Sequence, residues 1–387
     1  MFALLRRQKV RNALLQIFFV GTIAAIVIGG WLNAQQTLER QRIVSGFDFL
    51  WRSTGWEGNF SLLAATPNDP YWWFFVVGLV NTLFLGVIGL LLATFVGLTV
   101  GLARISSNEV LRFLGRIYVD FFRNIPLILQ VFFWYAFVTH MPAPRAAYDL
   151  GSLKISSRGI YAPVPNVQWE FLLASVVCVV AAIVVPIWLG GTRYLSRPPE
   201  QRRGLRVAAC LGLLALAVLV FAAGGKAGEP LFSVPELQGL NLRGGMRISP
   251  EFSALAIAMA LYGGAYIGEI VRGGFKAVGR GQIEAAESLG LTPWRIFSHV
   301  RLPLALRAML PILANQYIWL IKATTLGITI GFTDFFMVVA ITINQSGNTL
   351  EAIGILMAGF LLVNLSLGAL FNHVNKAIAL KGNQLRS

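Results

Sequence analysis

Arg123, Glu269 and Lys322 are charged side chains set inside long apolar runs. A charge at membrane depth costs about 3 kcal/mol by insertion scales, so each must meet an opposite charge, a polar solute or the interface. Arg123 either snorkels to the inner surface or lines a solute path. Glu269 stands three residues before Arg272, the spacing of an ion pair along one helix face, and otherwise suits a gate. Lys322 suits either a carboxylate-bearing solute or an acidic partner on another helix. Thr324 and Thr325 place hydroxyls beside it, although membrane threonines commonly bond back to the carbonyl four residues earlier. Close beside Glu269 lies Tyr266. These six are the candidate path or gate residues.

A second constellation occupies residues 282–303, QIEAAESLGLTPWRIFSHVRLP, a polar stretch between two apolar runs. Glu284-Ala285-Ala286 is followed after three residues by Gly290, after nine more by Val300, and then by Leu302-Pro303. Gly290 suits the position just past a helix end, where φ is positive. Thr292-Pro293 reads as a helix restart, a hydroxyl cap followed by proline in the first turn. The pattern predicts two short helices joined at an elbow. Ile283, Ala286 and Leu289 fall on one face. Ala285 and Ala286 are small enough for a partner surface to approach closely, and Glu284 can pair with a basic or amide-bearing groove. The plainer reading is an amphipathic loop on the membrane surface. The chemistry offered here is mechanical: neither a catalytic nor a metal-ligating set stands out. Gly225-Lys226-Ala227 lacks the first glycine and the hydroxyl of a phosphate-binding loop.

The elements that must hold these residues are apolar. The 387-residue chain is 56% hydrophobic and 13% charged, about half the charge of a soluble domain. Runs long enough to cross a bilayer are expected near 13–31, 72–103, 117–139, 169–189, 207–223, 252–272, 304–330 and 350–371. This predicts an all-α membrane protein of about eight transmembrane helices. The net charge of +15 gathers in alternate loops, at Arg6, Arg7, Arg104, Arg112, Arg116, Arg193, Arg197, Arg203 and Lys381 among others. That is the positive-inside pattern, not a nucleic-acid surface, and it predicts both termini in the cytoplasm. The first run reads as an uncleaved anchor rather than a cleaved leader. The segments 140–168 and 224–250, rich in proline and glycine, are expected outside and irregular. A short outer segment holds Asn344, Gln345 and Asn348. Cys178 and Cys210 read as buried free thiols. Glycine pairs four apart at Gly97/Gly101, Gly264/Gly268 and Gly327/Gly331 predict close helix packing.

The spacing over 282–303 resembles the EAA loop of ATP-binding-cassette importer permeases. Asn81-Thr82-Leu83, Asp120 to Leu127 (DFFRNIPL), Ala265 to Gly274 (AYIGEIVRGG) and Lys322 to Leu326 (KATTL) are similar to segments of the polar amino-acid, histidine/glutamine-type branch. The long chain is most similar there to general L-amino-acid permease subunits. The resemblance implies a type I, MetI-like core of five helices, with an N-terminal anchor in 1–71, core parts at 72–139 and 251–387, and a two-helix insertion at 140–250. It implies that Glu284, Ala285, Ala286, Gly290, Val300, Leu302 and Pro303 couple to an ATPase. It implies an importer in the bacterial inner membrane for polar L-amino acids, or alternatively for another small polar solute such as an opine or amine. The implied partners are two ATPase copies, a second permease that is a different but homologous chain, a periplasmic amino-acid-binding protein and membrane lipid. No cofactor is expected on this chain, with ATP and Mg on the ATPase. An ion-coupled carrier is disfavoured because the spans are poor in Asp and Glu.

Overall fold

The structure is a computed structural model that describes residues 8–41, 46–188, 199–226 and 228–378. Arg6, Arg7, Arg193, Arg197 and Lys381, which the charge pattern uses, lie outside the described residues. The chain divides into two compact units, residues 1–132 with 255–387, and residues 133–254.

The first unit begins with α1 (Gln8–Gln41). Its apolar section, Leu14–Gly30, has 17 residues, the lower limit for crossing a hydrocarbon core. Next comes α2 (Tyr71–Ile105), 35 residues long. The amphipathic α3 (Glu109–Asn124) is capped by Asn108, whose side chain accepts from the Val110 and Leu111 amides. It is followed by α4 (Leu127–Thr139), and the two meet at 99°. The single span expected over 117–139 is therefore two helices. Pro126 has no amide hydrogen and holds Ile125 extended. The Gln130 amide donates to the Phe122 and Ile125 carbonyls at 3.0 and 3.1 Å, which replaces part of the broken ladder.

The second unit holds α5 (Trp169–Trp188) and α6 (Pro199–Ala223). They pack as a hairpin in which the Ser175 hydroxyl donates to the Ala217 carbonyl at 3.0 Å. Cys178 and Cys210 are free and half-buried rather than buried. The segments expected to be irregular form small antiparallel sheets. β1 (Tyr148–Leu150), β2 (Leu153–Ser156) and β3 (Gly159–Ala162) pair in sequence. β4 (Val164–Pro165) pairs with β5 (Phe232–Ser233), and β6 (Glu236–Gln238) with β7 (Asn241–Arg243). β8 (Met246–Ile248) completes the four-stranded sheet beside β3. Pro163 and Pro235 flank strands and Pro165 ends β4, positions where a missing donor is tolerated, while Pro144 opens a 3₁₀ turn before β1.

Returning to the first unit, α7 (Pro250–Lys276) leads into α8 (Arg280–Ser288). α9 (Pro293–Arg295) continues through a π-helical turn, Ile296–Arg301, into α10 (Leu302–Lys322). A 3₁₀ stretch, Ala323–Ile330, ends that span. The expected short outer segment instead contains α11 (Phe335–Ser346), capped by the Asp334 carboxylate on the Met337 amide at 2.7 Å. α12 (Thr349–Ile378) is last. Six helices among the described residues are long and apolar enough to cross a membrane, or seven when α3 and α4 count as one span. With the shorter section of α1, each of the eight expected runs has its helix.

The α2 helix organises this unit through its small residues. A Cβ on Gly97 would sit 2.5 Å from Ile267, and one on Gly101 would sit 2.6 Å from Val271. A Cβ on Gly264 would reciprocally meet Val96 at 2.7 Å. The glycines of α2 and α7 thus interlock at near backbone contact, as their spacing predicts. Gly327 and Gly331 do not form such a pair, because Gly327 lies in the 3₁₀ stretch and Gly331 terminates it with φ +81°. Asn81 lies ten residues into α2, not at its start. Its side chain donates to the Thr333 and Phe60 carbonyls at 2.8 and 3.1 Å and accepts from the Leu62 amide at 3.0 Å. Beside it, the Thr82 hydroxyl accepts from the Phe335 amide at 3.0 Å.

Candidate functional site

The glycine interlock sets the register of α2 against α7. Three residues beyond Gly101 comes Arg104, and next to Gly268 comes Glu269. That register brings the Arg104 guanidinium onto Glu269 Oε2. Arg272 holds the same carboxylate from its own helix, donating from Nε at 3.1 Å and from a terminal nitrogen to Oε1. Glu269 is thus shared by two arginines, and all three side chains are largely buried, at 12% exposed for Arg104, 29% for Glu269 and 23% for Arg272. The expected pair with Arg272 exists. Arg104, read from the sequence only as a loop marker, is its third member.

Arg123 makes a different contact. Its guanidinium lies 4.8 Å from the Tyr266 ring centre, within range of a cation–π attraction. The Tyr266 hydroxyl is 3.3 Å from that of Tyr262, and Tyr262 stacks on Trp319 with centres 5.5 Å apart. Arg123, Tyr266, Tyr262 and Trp319 form a continuous aromatic–cation strip that joins α3, α7 and α10. Tyr262 and Trp319 were not singled out by sequence. Tyr262 precedes Tyr266 by one helical turn, which was the available signal.

Lys322 is exposed, and among the described residues it has no ion pair. Thr324 is fully buried, and its hydroxyl donates to the Ile321 carbonyl at 2.8 Å. Thr325 donates to the Lys322 carbonyl at 2.9 Å. Both bonds span three residues rather than the expected four, because this stretch is 3₁₀. The six candidate path residues therefore divide: Glu269 sits in an ion triad, Arg123 and Tyr266 in the strip, Lys322 on an open face, Thr324 within the packing, and Thr325 half-buried on the Lys322 carbonyl.

The loop 282–303 has the predicted bent form. α8 ends at Ser288 and Gly290 takes φ +71°, a conformation that L side chains rarely adopt. The Leu291 amide reaches back to the Ala286 carbonyl at 3.3 Å and the Gly290 amide to the Glu287 carbonyl at 2.8 Å. Ala286 is buried while Glu284 and Ala285 are exposed. Leu289 departs from the expected common face and is 80% exposed, as is Trp294 at 72%. Thr292 precedes Pro293 as expected, but its hydroxyl makes no capping bond; its carbonyl accepts from the Ile296 amide at 2.9 Å. The second limb is not a separate short helix. It runs on through Val300, Leu302 and Pro303 into α10 without a break. The Phe297 ring stacks on Phe275 of α7, centres 5.9 Å apart, and Trp294 stacks on Phe297 at 5.8 Å. Tip, second limb, α7 and α10 are thereby tied by rings and by continuous helix.

Interlocked apolar helices and a bent polar loop that is continuous with one span define a multi-pass membrane protein. Residues 207–380 match the family described as the binding-protein-dependent transport system inner membrane component. YhdX of Escherichia coli (strain K12), provisionally named an amino-acid ABC transporter permease protein, is 39% identical over 96% of this chain and 95% of its own length. The general L-amino acid transport system permease protein AapQ of Rhizobium johnstonii is 34% identical over 96% of this chain and 93% of its own. The glutamate/glutamine/aspartate/asparagine transport system permease protein BztB of Rhodobacter capsulatus is 30% identical over 97% and 94%. The chain belongs to this family of binding-protein-dependent inner-membrane transport components.

Proposed function

We propose that the chain is the permease subunit of an ATP-binding-cassette importer for polar L-amino acids, and that the elbow at Gly290 is its coupling surface. The observation that carries the coupling role is the continuous helix from Pro293, beside the elbow, through the π turn into α10. Force that reaches the second limb at Trp294 is passed to a span rather than absorbed by a flexible joint. The relatives that match nearly the full chain, named for amino-acid and acidic or amide side-chain transport, support the cargo. In this reading ATP and Mg are bound by a separate ATPase pair, and this chain supplies no hydrolytic chemistry. A periplasmic binding protein delivers solute, a second homologous permease completes the path, and both termini lie in the cytoplasm.

The strip of Arg123, Tyr266, Tyr262 and Trp319 is the solute-facing candidate. A guanidinium held over a ring is fixed in place yet keeps donors for a carboxylate. Reversing the path from mostly inward to mostly outward takes about 5.5 kcal/mol of differential interaction, which nucleotide binding delivers through the elbow. The test is uptake and ATP hydrolysis by the reconstituted complex carrying Gly290→Val or Glu284→Lys. Uptake is expected to fall more than about tenfold, the equivalent of losing 1.4 kcal/mol of coupling, while hydrolysis continues. Normal uptake by both variants would remove the coupling assignment.

A further inference from the structure

A cavity of about 530 Å³ lies in the first unit, lined by Arg104, Ile105, Ser106, Arg112, Arg116, Arg272, Lys276 and Arg301. Six of those side chains are cationic. Two carboxylates answer them: Glu269 takes Arg104 and Arg272, and Glu109 takes Arg112. Six cations against two anions leave an excess of four positive charges around one cavity. Among the described residues, no carboxylate lies in ion-pair reach of Arg116, Lys276 or Arg301. The Arg301 Nε is buried without a hydrogen-bond partner, although its guanidinium sits 5.6 Å from the Phe275 ring centre. A buried donor left unmade costs about 1 to 3 kcal/mol, and like charges gathered in a concavity repel. One bound anion offsets the repulsion among these cations.

The lining defines which anion. Arginines present planar forks that match phosphate oxygens two at a time. The site is built where the apolar runs of α2 and α7 give way to basic residues, at Ile105 and Lys276, a position that suits a lipid headgroup. The exposed tip residues Glu284, Leu289 and Trp294 are not among its lining, although Arg301 belongs to the second limb of the same loop. Arg301 belongs to the π turn and Lys276 to the end of α7, so an occupant bridges the elbow's second limb to the ends of α2, α3 and α7.

We propose that this cavity binds a phosphate-bearing anion, and that its source is the headgroup of an anionic phospholipid. Basic cavities between spans are suited to that chemistry. The proposal does not rest on the cargo or on the coupling reading. The complete transporter complex, delipidated in neutral detergent, is titrated with phosphatidylglycerol, phosphatidylcholine or inorganic phosphate and followed by native mass spectrometry. Phosphatidylglycerol is expected to bind the unaltered complex, and the Arg116→Gln/Lys276→Gln complex about thirtyfold more weakly, on the scale of about 1 kcal/mol per basic residue. The charge-preserving Arg116→Lys/Lys276→Arg complex and the remote Arg243→Gln complex should bind as the unaltered one does. Phosphatidylcholine should not distinguish the variants. If the double variant does not assemble, Lys276→Gln alone, at an exposed position, should weaken binding about fivefold. Inorganic phosphate binding with the same variant dependence, without phosphatidylglycerol, would keep the anion site and change its source. Equal phosphatidylglycerol binding by the unaltered and Gln complexes would overturn the proposal. Loss of the ATPase subunits from the Gln complex with lipid binding unchanged would also overturn it, in favour of a protein occupant.

Discussion

The α2–α7 contact and the α5–α6 hairpin are both pairs of apolar helices, yet they are built on opposite terms. In α7, 67% of the best spanning window is buried inside the protein; in α5 and α6 the shares are 11% and 6%. Gly97, Gly101 and Gly264 have side-chain atoms of the facing helix where a Cβ would go, whereas Gly212 of α6 has nothing within 4 Å. Apolar length alone therefore says little about what a membrane helix does. Hydrophobicity suits both pairs to the bilayer, but only the first carries glycines interlocked along mid-helix and an ion triad. The hairpin turns most of its surface outward, where many apolar residues serve equally well.

That contrast can be broken or sharpened by substitution, with thermal unfolding in detergent as the common measure. The largest effect is expected from Glu269→Gln, which leaves Arg104 and Arg272 without their shared carboxylate and should cost about 3 kcal/mol. Replacing the triad together, Arg104→Met with Glu269→Leu and Arg272→Met, should recover most of that loss. If stability returns and uptake does not, the triad has a role in the path beyond packing. Gly97→Val should cost about 2 kcal/mol, because its Cβ overlaps Ile267 in a contact with no room to give. In the hairpin, Ser175→Ala should cost about 1 kcal/mol by removing the hydroxyl from the Ala217 carbonyl. Smallest and opposite in sign, Gly212→Ala should leave stability unchanged or raise it by up to about 1 kcal/mol. A Gly212 variant as damaging as Gly97→Val would erase the distinction between the two pairs.

What could be read in advance follows the range of the interactions. The elbow was legible because its determinants are local: Gly290 at positive φ, Pro293 in a first turn, small residues at 285 and 286. Glycines at fourfold spacing announced close packing for the same reason. The third triad member was not legible, because Arg104 meets Glu269 only once α2 and α7 take one register across 165 residues of chain. The bend at Pro126 was hidden inside an apolar run long enough for one straight helix. α11 was masked by Asn344 and Gln345, polar residues that suggested a loop, while its real start signal was the Asp334 cap. The strands of 148–162 and 232–248 are only two to four residues long, too short for alternation to stand out among prolines and glycines. Tyr262 had a local signal in its one-turn spacing from Tyr266, whereas the Trp319 stack between helices leaves no mark on either helix alone.

The coupling claim is tested most directly by contact at the elbow tip. A photo-reactive group is attached at Leu289→Cys in a Cys178→Ser/Cys210→Ser background, and the intact complex is irradiated with and without nucleotide. A covalent product with the ATPase subunit is expected, its yield changing with nucleotide. Labelling of lipid alone, or an ATPase product indifferent to nucleotide, would contradict the coupling claim.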